Sequence, residues 1–270
     1  MPSFEPKAAP VVPARLVVPV APLAPAASRT PARAVPRSER LFYGGAAAFV
    51  AASVFVGFWR SYLLRGLVAP PSFSFSPLSL RIHVHAGVFL GWIVLFIVQV
   101  ALVSAGRRDL HRKLGLLASV WIPLLVGVGT WTALNSPPVP FMEARGWLAV
   151  TLTDLVVFAV LAGAALRTRR DVQTHKRLML LATISLLPAS IGRWPLPDAA
   201  YFIGVPASFF ALAHCAILPL LAWDLVTRRN IHRATLWGGL WLVLSLPLRF
   251  AIASTSTWLA IADSAFALLR

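Results

Sequence analysis

Ala86 to Ser104, AGVFLGWIVLFIVQVALVS, carries no charge and a single strongly polar side chain, Gln99. At ~1.5 Å per helical residue this run matches the ~30 Å hydrocarbon core of a bilayer. A stretch of this kind leaves little choice of structure, because in lipid every backbone polar group must be satisfied within the segment. It is bracketed by chemistry: His83 and His85 stand at one end, and a basic turn with His111 stands at the other.

The rest of the chain repeats the pattern. With 58% hydrophobic residues, only 13% charged residues and a mean hydropathy of +0.76, the 270 residues are far from a soluble domain, where roughly a quarter are charged. Seven apolar segments are expected, at about Leu41–Trp59, Ile82–Ser104, Leu114–Leu134, Trp147–Leu166, Leu178–Ile191, Tyr201–Trp223 and Thr235–Ala262. The fold class that follows is all-α, a polytopic transmembrane helix bundle of about seven helices spanning residues 41–270. Residues 1–40, rich in Pro and Ala and without helical or alternating period, read as a disordered tail. Pro10, Pro13, Pro19, Pro22 and Pro25 interrupt every candidate signal-peptide core there.

The net charge of +16 comes from short clusters between the apolar runs, and no basic domain stands apart to suggest nucleic acid. Most of the 25 Lys and Arg fall in the tail and in alternate turns, around Arg107–Lys113, Arg167–Arg177 and Arg228–Arg233. Only Arg60, Arg65, Arg81, Arg145, Arg193, Arg249 and Arg270 lie elsewhere. The positive-inside rule then predicts a cytoplasmic N-terminus and an outward C-terminus in a bacterial inner membrane. Trp59, Trp147 and Trp194 fall near segment ends and read as interfacial anchors.

Two basic turns echo one another. Arg107-Arg108-Asp109 leads to His111-Arg112-Lys113-Leu114, and Arg169-Arg170-Asp171 leads to His175-Lys176-Arg177-Leu178. A duplicated two-helix hairpin is one reading, and the ordinary accumulation of Arg and Lys in cytoplasmic turns is the other.

The pieces GFWRSYLL (Gly57 to Leu64), HVHAGVFLGWIVLFIVQVALVSAGRRDLHRKLG (His83 to Gly115) and HKRLMLLATISLLPASIGR (His175 to Arg193) resemble a family of uncharacterised multi-pass bacterial membrane proteins. The resemblance implies a membrane bundle and brings no established activity. In lay-out alone, histidines near the ends of consecutive spans are similar to those of the ascorbate-reducible di-haem cytochrome b proteins.

A b-type haem inside a bundle needs two histidines at similar depth on different helices. His111 and His175 satisfy this at the inner ends of their segments. His85 lies near the outer face and His214 ~20 Å in from the outer end of its segment, so a symmetrical four-histidine, two-haem set does not follow. The alternatives for His111, His175 and His232 are lipid phosphate and helix capping. His83 and His85 diverge by some 200° on a helix, so one of them is structural. His-Val-His could chelate zinc in an extended segment, but no third ligand lies near it. No nucleophile elbow, Walker loop, dinucleotide fingerprint or HExxH is present.

Charges inside spans are costly and mark functional candidates. Asp154 falls ~12 Å and Arg249 ~18 Å from the outer surface, within reach of one arginine side chain. Their pairing is structural on one reading and part of an ion path, or a propionate holder, on another. Asp224 is expected to be solvated at an inner boundary, Gln99 to bond a neighbouring helix, and the single Cys215 to be an inert core thiol. Three functions stay open: a haem-b electron carrier meeting a membrane redox partner, a transporter using Asp154 and Arg249, and a non-catalytic membrane scaffold.

Overall fold

The computed structural model describes residues 35–70, 78–136, 141–197 and 203–268, with residues 1, 3, 139 and 200. Most of the expected tail lies outside these residues. Its last part, from Arg37, is already helical.

Among the described residues all regular structure is helical. The chain forms α1 (Arg37–Phe58), a single π turn (Trp59–Leu63), α2 (Leu80–Ser104), α3 (Arg108–Gly115), α4 (Leu117–Leu134), α5 (Ala144–Arg167), α6 (Val172–Ile184) and α7 (Pro188–Ile191). α8 (Ala207–His214), α9 (Leu218–Arg228), α10 (Arg233–Ala253) and α11 (Ser256–Ala267) complete it. Six stretches are long and apolar enough to cross a membrane: α1 with the π turn, α2, α3–α4, α5, α8–α9 and α10. The chain is a multi-pass membrane protein.

The fifth expected segment, Leu178–Ile191, falls in α6–α7, which is broken and is not among these six. Pro188 has no N–H to give Ile184, and Leu187 N–H takes that carbonyl instead at 3.0 Å, tightening the turn. The segment nevertheless runs the length of α1. At one end Lys176 Nζ meets Glu39 Oε1 at 2.8 Å, and the same number of residues further along each chain Ser190 bonds Ser53. Trp194 Nε1 also donates to Ser53 O, at 3.1 Å, so this tryptophan is tied into α1 as well as placed near a segment end. The approach depends on Gly57, where a Cβ would stand 2.5 Å from the Ser190 carbonyl oxygen. Small residues let helices approach closely where lipid supplies no hydrophobic drive for association.

α5 is the hub, packing against α4, α6, α10 and α11. Half of its apolar stretch is buried, against 17% for α3–α4. Val150, Phe158, Ala162 and Ala165 are fully enclosed there. Trp92 of α2 packs edge-on against Phe158 with ring centres 4.9 Å apart.

Two expectations are corrected by the packing. The last crossing ends at Ala253 rather than Ala262, because Thr255 caps a new helix by accepting from Trp258 N at 3.2 Å. α11 then returns to α5: Trp258 Nε1 donates to Arg145 O at 2.7 Å, and Arg145 pairs with Asp263 at 3.1 Å. Cys215 is exposed rather than in the core. In a bilayer the outward face of a helix is as apolar as its inner face, so an apolar run does not by itself locate a core position.

Candidate functional site

The basic turns place His111 in α3 and His175 in α6, and the packing brings the two rings together. Their centres are 6.4 Å apart with planes at 80°. Each imidazole is tied back, through Nδ1, to the helix that precedes it. Asp171 caps α6 by accepting from Gln173 N at 3.0 Å and Thr174 N at 3.3 Å, which sets the first turn that carries His175. His175 Nδ1–H then donates to Ala165 O at 2.8 Å. That carbonyl belongs to the last turn of α5, where helix carbonyls lack intrahelical donors.

Gln99, the polar residue of the longest apolar run, serves His111 in the same way. With its amide oriented to satisfy both ends, the nitrogen donates to His111 Nδ1 and, at 3.1 Å, to His111 O, while its oxygen accepts from Gly115 N at 3.0 Å. The partner is thus the helix that follows in the same hairpin. In this orientation His111 Nδ1 accepts, so the neutral ring carries its proton on Nε2. His175, with its proton on Nδ1, keeps an Nε2 lone pair, whereas His111 would gain one only with Gln99 turned to present its oxygen. The echoed turns differ in detail, since Asp109 caps nothing and instead faces Arg107 at 3.7 Å on the surface.

The donor set sorts the metals it could serve. Among the described residues no group of three or more His, Cys, Asp or Glu converges, so the four protein ligands of a structural zinc site are not assembled. Haem brings four nitrogens of its own and asks for two axial ligands. Two imidazoles holding one metal at ~2 Å per nitrogen have ring centres roughly 6 Å apart. The separation of His111 and His175 is close to that demand, and His175 has the Nδ1–H donation that a metal-bound histidine makes.

The other candidates sit apart from this pair. His85 stacks on Phe89 with ring centres 4.2 Å apart, and its Nδ1 has no partner. His83 diverges from it and shares a 3.1 Å hydrogen bond with Tyr62. His214 is buried with Nε2 unpartnered. No ring contact joins His85 or His214 to another histidine among the described residues.

Asp154 and Arg249 meet in the interior, with Nη1 2.9 Å from Oδ1. Arg249 is fully buried and all its nitrogens are engaged: Nε donates to Ser245 O at 3.1 Å and Nη2 to Ser245 Oγ at 2.8 Å. Its guanidinium lies 4.2 Å from the ring centre of Phe210.

Asp224 overturns the expectation of a solvated boundary residue. It is fully buried and accepts from Arg177 Nε at 3.0 Å, from Arg177 Nη2, from Thr235 Oγ1 and from His232 N at 3.1 Å. Arg177 in turn donates to Gln173 Oε1 at 2.7 Å. This network locks α6, α9 and α10 together at the basic end. One signal pointed to it, an acid set between Trp223 and Leu225 in an apolar run. The partners come from two other helices and are not marked by spacing.

Compared with protein-family models, curated proteins and solved structures, the chain has no match.

Proposed function

We propose that this chain is a haem-b-binding electron carrier of a bacterial inner membrane, in which His111 and His175 would hold the haem. The observation that supports the reading is the approach of two histidine rings from different helices, each tied at Nδ1 to a neighbouring helix. Bound haem would supply one-electron redox chemistry at the basic end of the bundle. The chain's own part is to orient the imidazoles through Gln99 and the Ala165 carbonyl. Exposed Arg112 and Lys113 beside His111 present positive charge suited to propionates. By the positive-inside rule this end faces the cytoplasm, where a redox partner would dock.

We read the Asp154–Arg249 pair as a clamp between α5 and α10. Each guanidinium nitrogen donates within the bundle, one to Asp154 and two to Ser245, which supports the clamp. His85 and His214, each without a facing histidine, fall outside the haem site in this reading.

The test is a visible spectrum of the detergent-purified full chain, expressed with haem supplied, oxidised and then reduced with dithionite. A sharp reduced α-band at one haem per chain is expected. Well-folded protein without haem overturns the reading.

A further inference from the structure

Two cavities at the basic end share a wall. The first, of about 520 Å³, is lined by Asp171, Thr174, Arg228, Asn230, His232 and Arg233 among others. The second, of about 350 Å³, is a groove lined chiefly by apolar side chains of α5, α6 and α10, including Val160, Ala164, Leu178, Trp237, Gly238 and Trp241. Thr174 and Arg233 line both. A polar hollow therefore adjoins an apolar one.

The polar chamber is cationic. Arg228 and Arg233 are exposed and neither forms an ion pair among the described residues. His232 uses Nδ1 to accept from Ala234 N at 3.1 Å, leaving Nε2 for the chamber. Asp171 is the one carboxylate, and it already accepts from Gln173 N, Thr174 N and Thr174 Oγ1. Two arginines therefore outweigh one engaged acid, as an anion requires.

The groove continues along α10 from Arg233 to Trp241, about 12 Å at the helical rise. Trp237 is 67% exposed and Trp241 38%, so the groove opens to the lipid side and is walled by amphipathic rings. A ligand filling both spaces must carry a negative head and a hydrocarbon tail.

We propose that these adjoining cavities bind one anionic phospholipid, its phosphate between Arg228 and Arg233 and an acyl chain in the groove between α5 and α10. The site is separate from the histidine pair, since neither cavity is lined by His111 or His175.

Native mass spectrometry of the full chain in detergent, with equal phosphatidylglycerol and phosphatidylcholine, tests this. The expected result is selective retention of phosphatidylglycerol. Arg228→Gln and Arg233→Gln should each lower its affinity roughly fivefold, and Val160→Trp, filling the groove from an exposed position, should lower it too. Arg37→Gln, at the same end but lining neither cavity, should leave retention unchanged. Equal retention of both lipids, or an equal loss with Arg37→Gln, overturns the proposal. So does displacement of the lipid by millimolar inorganic phosphate with no effect of Val160→Trp, which would mark a simple anion site. None of these readouts depends on haem.

Discussion

Arg249 of α10 and Asp154 of α5, 95 residues apart in the chain, meet at 2.9 Å in the interior of the bundle. Breaking such a pair from one side leaves a buried charge unmatched. Asp154→Asn is therefore expected to destabilise the bundle by ~3 kcal/mol, and Asp154→Asn with Arg249→Met to recover much of that loss. Reversible unfolding in mixed micelles measures both. Additive losses in the double variant would contradict the clamp.

Gly57 carries the contact between α1 and α7. Gly57→Ala drives a methyl group to 2.5 Å from the Ser190 carbonyl oxygen and is expected to lower stability by about 1–3 kcal/mol. Gly163→Ala, in α5 with nothing within 4 Å of the added carbon, is expected to raise it by about 0.5–1 kcal/mol. Melting temperatures of the two variants should move in opposite directions.

The Arg177–Asp224 network depends on a fork, not merely a charge. Lys in place of Arg177 keeps the cation but loses the paired donors to Asp224 and the bond to Gln173. Arg177→Lys should cost ~2 kcal/mol, and Asp224→Asn more, since it leaves Arg177 buried and unpaired. Hydrogen exchange should show the loss concentrated at the facing ends of α6, α9 and α10.

His232, in the turn before α10, has its pKa lowered by burial, with Arg177 and Arg228 adding to the effect. A lowered folded-state value means that the unfolded chain binds the proton first. Stability is then present above the ordinary histidine range and is lost as pH falls through that range towards the lowered value. Protonation would also end the Nδ1 acceptance that caps α10. His232→Asn keeps a capping side chain without the titration, and melting curves between pH 5.5 and 7.5 should show a smaller pH slope for it than for the natural protein.

Much of this fold was legible because lipid makes one demand, sustained apolar length, and Ala86–Ser104 and its counterparts meet it. The Asp154–Arg249 pairing was legible because depth along a helix is simple arithmetic, and the aligned turns around His111 and His175 pointed to one end of the bundle. What was not legible depended on packing. The segment α6–α7 stays packed along α1 despite its Pro188 break because α1 holds it at Glu39 and Ser53. α11 turns back because Thr255 caps it, where hydropathy alone runs straight on. Asp224 looked solvated because its partners, Arg177 and Thr235, arrive from other helices.

The central claim rests on two nitrogens, and ligand substitution in the haem-loaded protein tests it most directly. His111→Ala and His175→Ala should each abolish the sharp reduced α-band, and free imidazole should restore it. His85→Ala and His214→Ala should leave it unchanged. A band that survives in the His111→Ala, His175→Ala double variant, or one lost instead with His85 or His214, would contradict the assignment of this pair as the axial ligands.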